Sequence, residues 1–163
     1  MDRLSSIMLR LSLAWLLVGI VLGALMLTDE HIPGDWTLWF APTHGHILFV
    51  GWFLQFALGV AYWLLPRKRS PRRPLGYNER VADAAVAALN LGLLLRVAGE
   101  PAQRAGWTGA WIFPALATSA ALQVVAIATF AVQLWPRVAP RPLRGAASGT
   151  KTAAGEHAND GGS

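Results

Sequence analysis

Cysteine is missing from this chain altogether. Its absence excludes disulfides, thiolate metal sites and iron–sulfur clusters, and leaves imidazole, carboxylate or thioether to hold any metal. Charge is also scarce: Asp, Glu, Lys and Arg make up 14% of the 163 residues, against 54% hydrophobic, and the mean hydropathy is +0.40. A chain with so little charge cannot clothe a water-soluble surface. It reads as an integral membrane protein, with room for one compact bundle and no second domain. Acids are fewer than bases, 9 against 14, for a net charge of +5. The excess does not mark a nucleic-acid partner, because the bases lie in short segments beside apolar spans, the pattern of a cytoplasmic membrane face.

What is present is a set of four long apolar stretches, which predicts an all-α, four-transmembrane-helix bundle with spans over 7–27, 43–66, 81–98 and 107–135. These form a membrane domain over 1–136. The tail over 137–163 is small, polar and poor in large apolar residues, and is expected to be disordered. The first span carries Arg3 and Arg10 at its start, and no small-x-small cleavage site follows Leu27, so it reads as an uncleaved helix. Gly19 and Gly23 in it form a GxxxG, which permits close helix approach. Residues 28–42 read as a loop, acidic and aromatic, punctuated by Pro33, Gly34 and Pro42, with Trp36 and Trp39 suited to an interfacial belt. The basic stretch Arg67, Lys68, Arg69, Arg72, Arg73 follows span two. The third span contains Asp83, Asn90 and Arg96, has alanines and Gly92 for packing, and is expected to end at Gly99-Glu100-Pro101; the fourth is expected to kink at Pro114.

Bases at the N-terminus, in the middle loop and in the tail give one topology, with both termini cytoplasmic and the protein multi-pass in the inner (cytoplasmic) membrane. The start of span two and the end of span three then share the outer side, where His31, His44, His46, Arg96 and Glu100 are all available to one site. In a regular helix each residue turns by roughly 100°, so His44, Gly51, Gln55 and Tyr62 fall on one stripe with Gly59 on its flank. Small and polar groups are suited to a neighbouring helix rather than lipid, so this stripe is expected to face the bundle. His46 lies roughly 200° from His44 and is expected to point across, toward the loop or another chain.

Histidines just inside a membrane helix admit several readings. They can cap the helix and bind interfacial water, or they can ligate a redox metal, since a neutral imidazole offers a nitrogen lone pair. A haem would need small residues for the macrocycle, such as Gly51 and Gly59, and a cation for its propionates, such as Arg96. Arg96 has an alternative partner in Glu100, one turn on. A copper ion could be held by His31, His44 and His46 with the Asp29-Glu30 pair.

The segment THGHILFVGWFLQFALGVAYWLLP resembles the second transmembrane helix of haem–copper oxidase subunit I. The matching features are His44 and Gly45 at the opening, Gly59 along the helix and Pro66 at its end. The H-x-H opening with Gly51 and Pro66 is also similar to small stand-alone subunit-I-like membrane proteins and to the haem- and copper-containing membrane proteins of the nitric-oxide response. NLGLLLRVAGEP, from Asn90 to Pro101, looks like a segment of these last two groups. The resemblance implies that His44 is an axial ligand of a b-type haem. It does not carry over oxygen reduction, because spans one, three and four hold no histidine for a second axial ligand or a copper centre.

The expectation is therefore an integral membrane protein related to that family, binding b-type haem through His44 with Gly51, Gln55, Gly59 and Arg96 around it. It would act in electron transfer or haem handling and would not be a complete oxidase on its own. The sixth ligand is expected from a second copy, another respiratory membrane subunit, or Met26 (His/Met ligation also gives a low-spin haem). The alternatives are an outer-surface copper site at His44, His46 and His31, and a cofactor-free structural or assembly subunit.

Overall fold

The structure is a computed structural model that describes residues 1–28, 31, 34–66, 71 and 74–138. Among these residues all regular structure is helical, and four helices are long and apolar enough to cross a membrane: α1 (Arg3–Leu27), α2 (Trp36–Leu64), α3 (Glu79–Arg104) and α4 (Ile112–Val138). Asp29, Glu30, most of the basic loop at 67–73 and the tail from 139 onward lie outside the described residues, and with them the expectation of a disordered tail.

The helices run farther than their apolar cores, for local reasons. α1 starts at Arg3 because the Asp2 carboxylate accepts the Ser5 amide at 2.9 Å, and Asn78 does the same for Val81 at the start of α3. α2 begins at Trp36, seven residues before the expected start, and runs through Pro42. That proline removes one backbone bond, while Trp36 stacks on Phe40 (5.4 Å between centroids) and the turn packs against α3. α3 does not end at Gly99-Glu100-Pro101. It continues to Arg104, closed by the Ala105 amide on the Pro101 carbonyl (2.8 Å), so Pro101 sits in its last turns. α4 starts later than expected, at Ile112, so Pro114 falls in the first turn, where a missing N–H breaks no helical bond.

The largest departure from expectation lies inside α2. Ile47–Leu54 is a π-helix between two α-helical arms, Trp36–His46 and Gln55–Leu64. Thr43, Ile47, Gly51, Gln55 and Gly59 are all buried, a repeat of four. A regular helix of 3.6 residues per turn drifts by about 40° at each such step, whereas the wider π turn, with its i→i+5 bonding, holds the repeat on one face.

α1 packs along α2, the first half of α2 meets α3, and α3 lies along α4, which touches α2 only lightly. Close approach of α3 and α4 depends on Gly92, where a Cβ would come within 2.9 Å of the Ser119 carbonyl; the Ser119 hydroxyl donates in turn to the Gly92 carbonyl. Large apolar side chains such as Leu17, Val21, Phe113 and Val132 are exposed on the outside of the bundle, as a lipid-facing surface requires.

The main core sits at the end where α1 starts. Tyr62 is fully buried there, edge-on to Tyr77 and Phe130 at 4.8 and 6.0 Å. Arg137 donates to the Tyr62, Leu65 and Pro66 carbonyls at 2.9, 2.6 and 3.2 Å, satisfying the last turn of α2. At mid-depth Trp15 donates to Asn90 (2.8 Å), Asn90 to Gln55 (2.9 Å), and Gln55 to the Met8 carbonyl (3.3 Å), which ties α1, α2 and α3 together.

Candidate functional site

At the opposite end, α1 finishes, α2 begins and α3 finishes. This arrangement brings together three of the residues expected there. The Glu100 carboxylate, 9% exposed, accepts from Arg96 Nη1 at 2.9 Å through one oxygen and from the Thr43 hydroxyl at 3.0 Å through the other. His46 Nδ1 lies 2.9 Å from the Pro42 carbonyl, so this nitrogen carries the proton and donates it; the same atom is 3.4 Å from Glu100. Its Nε2 is left to accept from Arg96 Nη1, at 3.3 Å.

His46 therefore points to α3, not toward the loop or a neighbouring chain, and both its nitrogens are engaged. The π segment is the reason: it slips the first arm of α2 by roughly one residue, about 100°, from the register of a regular helix. Gly51, Gln55 and Tyr62 are buried as expected, but their face continues through Ile47 and Thr43 instead of through His44.

His44 is half-buried against α1. A Cβ at Gly23 would lie 2.9 Å from its Cε1, so the GxxxG of α1 is a contact face within the chain: Gly23 receives His44 and Gly19 receives Leu48 and Ile47. The His44 Nδ1 is buried and has no hydrogen-bond partner, and neither has Arg96 Nε. Such groups cost about 1–3 kcal/mol each if nothing else satisfies them.

Gly51, Gln55 and Gly59 stand differently from the sequence expectation of a macrocycle slot. The space over Gly51 is filled by Trp15 and Leu93 and that over Gly59 by Leu9 and Met8, while Gln55 is held by Met8 and Asn90. All three serve packing between α1, α2 and α3. His31 is exposed, with its amide on the Thr28 carbonyl at 2.8 Å. Among the described residues no three His, Asp or Glu side chains gather in a way that could hold a metal ion; Asp29 and Glu30 lie outside that set. Met26 is at the same end, its carbonyl accepting from Thr37 at the start of α2.

Two features were not read from the sequence. Thr43 completes the Glu100 site, and its signal is the four-residue repeat that ends in Gln55 and Gly59. The other is a cavity of about 480 Å³ between the first arm of α2 and the last turns of α3, walled by Trp36, Trp39, Phe40 and Trp107. Its signal is the small-residue row Ala98, Ala102 and Ala105 at helical spacing.

Comparison with known protein families, curated proteins and solved structures finds no match to this chain.

Proposed function

We propose that this multi-pass membrane protein binds a b-type haem at its histidine end through His44, and serves electron transfer or haem handling without reducing oxygen. The observation that carries the reading is the buried, unpartnered nitrogen of His44. In the tautomer protonated on Nε2 this nitrogen offers a lone pair free of hydrogen bonds, which is suited to a Lewis acid, and iron in a macrocycle would supply one-electron chemistry.

The fit is partial. His44 supplies a ligand nitrogen, Gly23 gives the imidazole close backbone contact, and Arg96 keeps one unpartnered N–H for a carboxylate while its Nη1 holds Glu100 and His46. Gly51, Gln55 and Gly59 take no part in this reading, because neighbouring side chains fill their surroundings. His46 orients Arg96. His44 would hold the haem, and a second copy, another respiratory subunit or Met26 would supply the remaining ligand.

The charge pattern supports cytoplasmic termini, with the histidine end at the outer face of the inner membrane. In this cysteine-free chain, Asp35→Cys should react with an impermeant thiol reagent in intact cells and Ser70→Cys should not; the reverse pattern inverts the topology.

The absorption spectrum of the purified protein tests the cofactor. A Soret band at roughly 400 nm is expected. His44→Ala should abolish it, His46→Ala should keep most of it, and Arg96→Ala should weaken retention without removing it. A colourless preparation in which both histidine variants lose bound copper would replace the haem reading by a copper one.

A further inference from the structure

Independently of the haem reading, we infer that the cavity between the start of α2 and the end of α3 binds the ring of a quinone-class lipid. Its volume of about 480 Å³ lies in the range of small-molecule sites. The walls are aromatic on the α2 side, where Trp36 and Phe40 are stacked with 15° between their planes, and flat on the α3 side, where the lining is alanine. An aromatic wall opposite a wall of small side chains leaves a gap suited to a planar ring, which aromatic side chains can stack on or meet edge-on.

The polar handles are few and uncharged. Val97 and Pro101 both line the cavity, and Pro101 has no N–H, so the Val97 carbonyl lacks its α-helical donor and is suited to a ring hydroxyl. The indole N–H groups of Trp39 and Trp107 are donors of the kind a ring carbonyl accepts. Among the described residues no charged side chain lines the cavity, which argues against a phosphate-bearing headgroup; an acyl chain alone has no use for aromatic walls. Trp107 is 65% exposed at the mouth, leaving an exit for an apolar tail. Glu100 and Arg96 lie on the neighbouring face of the same α3 turn, bonded to one another and to α2, so the wall is fixed before any ligand arrives.

The test is a titration of tryptophan fluorescence of the full chain in detergent with an oxidised, short-tailed benzoquinone, beside the same titration of Ala98→Leu. Ala98 is exposed on the cavity wall, so the larger side chain narrows the slot without crowding the core. Saturable quenching, half-complete at about 10 μM, is expected. Ala98→Leu should weaken it roughly tenfold at an unchanged thermal midpoint. Quenching that rises linearly and equally in both proteins is partition into the micelle and overturns the proposal. So does a co-purified phospholipid that the quinone fails to displace, since the cavity is then a lipid site. Haem content is read separately from the visible spectrum, so failure of one reading leaves the other intact.

Discussion

The two ends of the bundle are built on opposite terms. At the tyrosine end, aromatic edges meet aromatic faces and one arginine saturates three carbonyls of α2. At the histidine end a buried carboxylate is held by a half-buried guanidinium and a threonine hydroxyl, and a cavity lies beside them. Both ends keep buried polar atoms without a partner, Ser5 Oγ and Gln133 Nε2 at the tyrosine end and His44 Nδ1 and Arg96 Nε at the histidine end, so what sets the histidine end apart is its ionic pair and the open space beside it.

Substitutions at the two ends should differ in the size of their effect. Tyr62→Ala removes the largest fully buried side chain and the ring beneath Arg137, and should cost about 3–5 kcal/mol of stability. Thermal unfolding of the detergent-solubilised protein measures it; a loss well under half of that would place the stabilising core elsewhere. Glu100→Gln keeps a partner for Thr43 but leaves Arg96 without a counter-charge, and should cost about 1–3 kcal/mol. The same unfolding experiment with Glu100→Gln and Arg96→Met combined should recover part of that loss, since a buried pair replaced whole is cheaper than a pair halved. The smallest effect sharpens the comparison most. His44→Leu in ligand-free protein should change stability by no more than about 1 kcal/mol, because the nitrogen it removes has no partner to lose. A penalty like that of Tyr62→Ala would mean that His44 is a packing residue and that the histidine end is not poised for a ligand.

The four spans were legible because hydropathy and length are set by the bilayer, and so was the convergence of the start of α2 on the end of α3, since antiparallel helices bring the start of one to the end of the next; that His46 turns toward Arg96 and Glu100 was not. Helix ends were less legible. Pro42 and Pro101 each read as a stop, yet a proline near a helix end forfeits a single bond, which stacking of Trp36 on Phe40 and the closure of Ala105 on Pro101 offset. The rotational phase of α2 was misjudged for a definite reason: positions 44, 51, 55 and 62 fit a uniform 3.6-residue turn, and the π segment is not uniform. The buried set at 43, 47, 51, 55 and 59 shows that phase in its spacing of four, but only once those residues are known to be buried. The cavity stayed hidden because tryptophans near a membrane surface have an ordinary role in anchoring, and their convergence on three alanines of another helix is a tertiary fact.

The π segment also sets how the chain tolerates a change in length. A wide turn holds roughly one residue more than the regular helix it interrupts, so removing one residue within Ile47–Leu54 should let α2 close into uniform α-helix with both arms left where they stand. In an uninterrupted helix the same deletion would rotate everything on one side of it by about 100°. Straightening the segment without a deletion does turn the first arm, and it carries His44 to the place now held by Thr43, beside the Glu100 carboxylate. One extra residue thus decides which side chain of THGH meets the acid of α3, and a homologue with a gap at this point should be aligned across it by burial and not by counting.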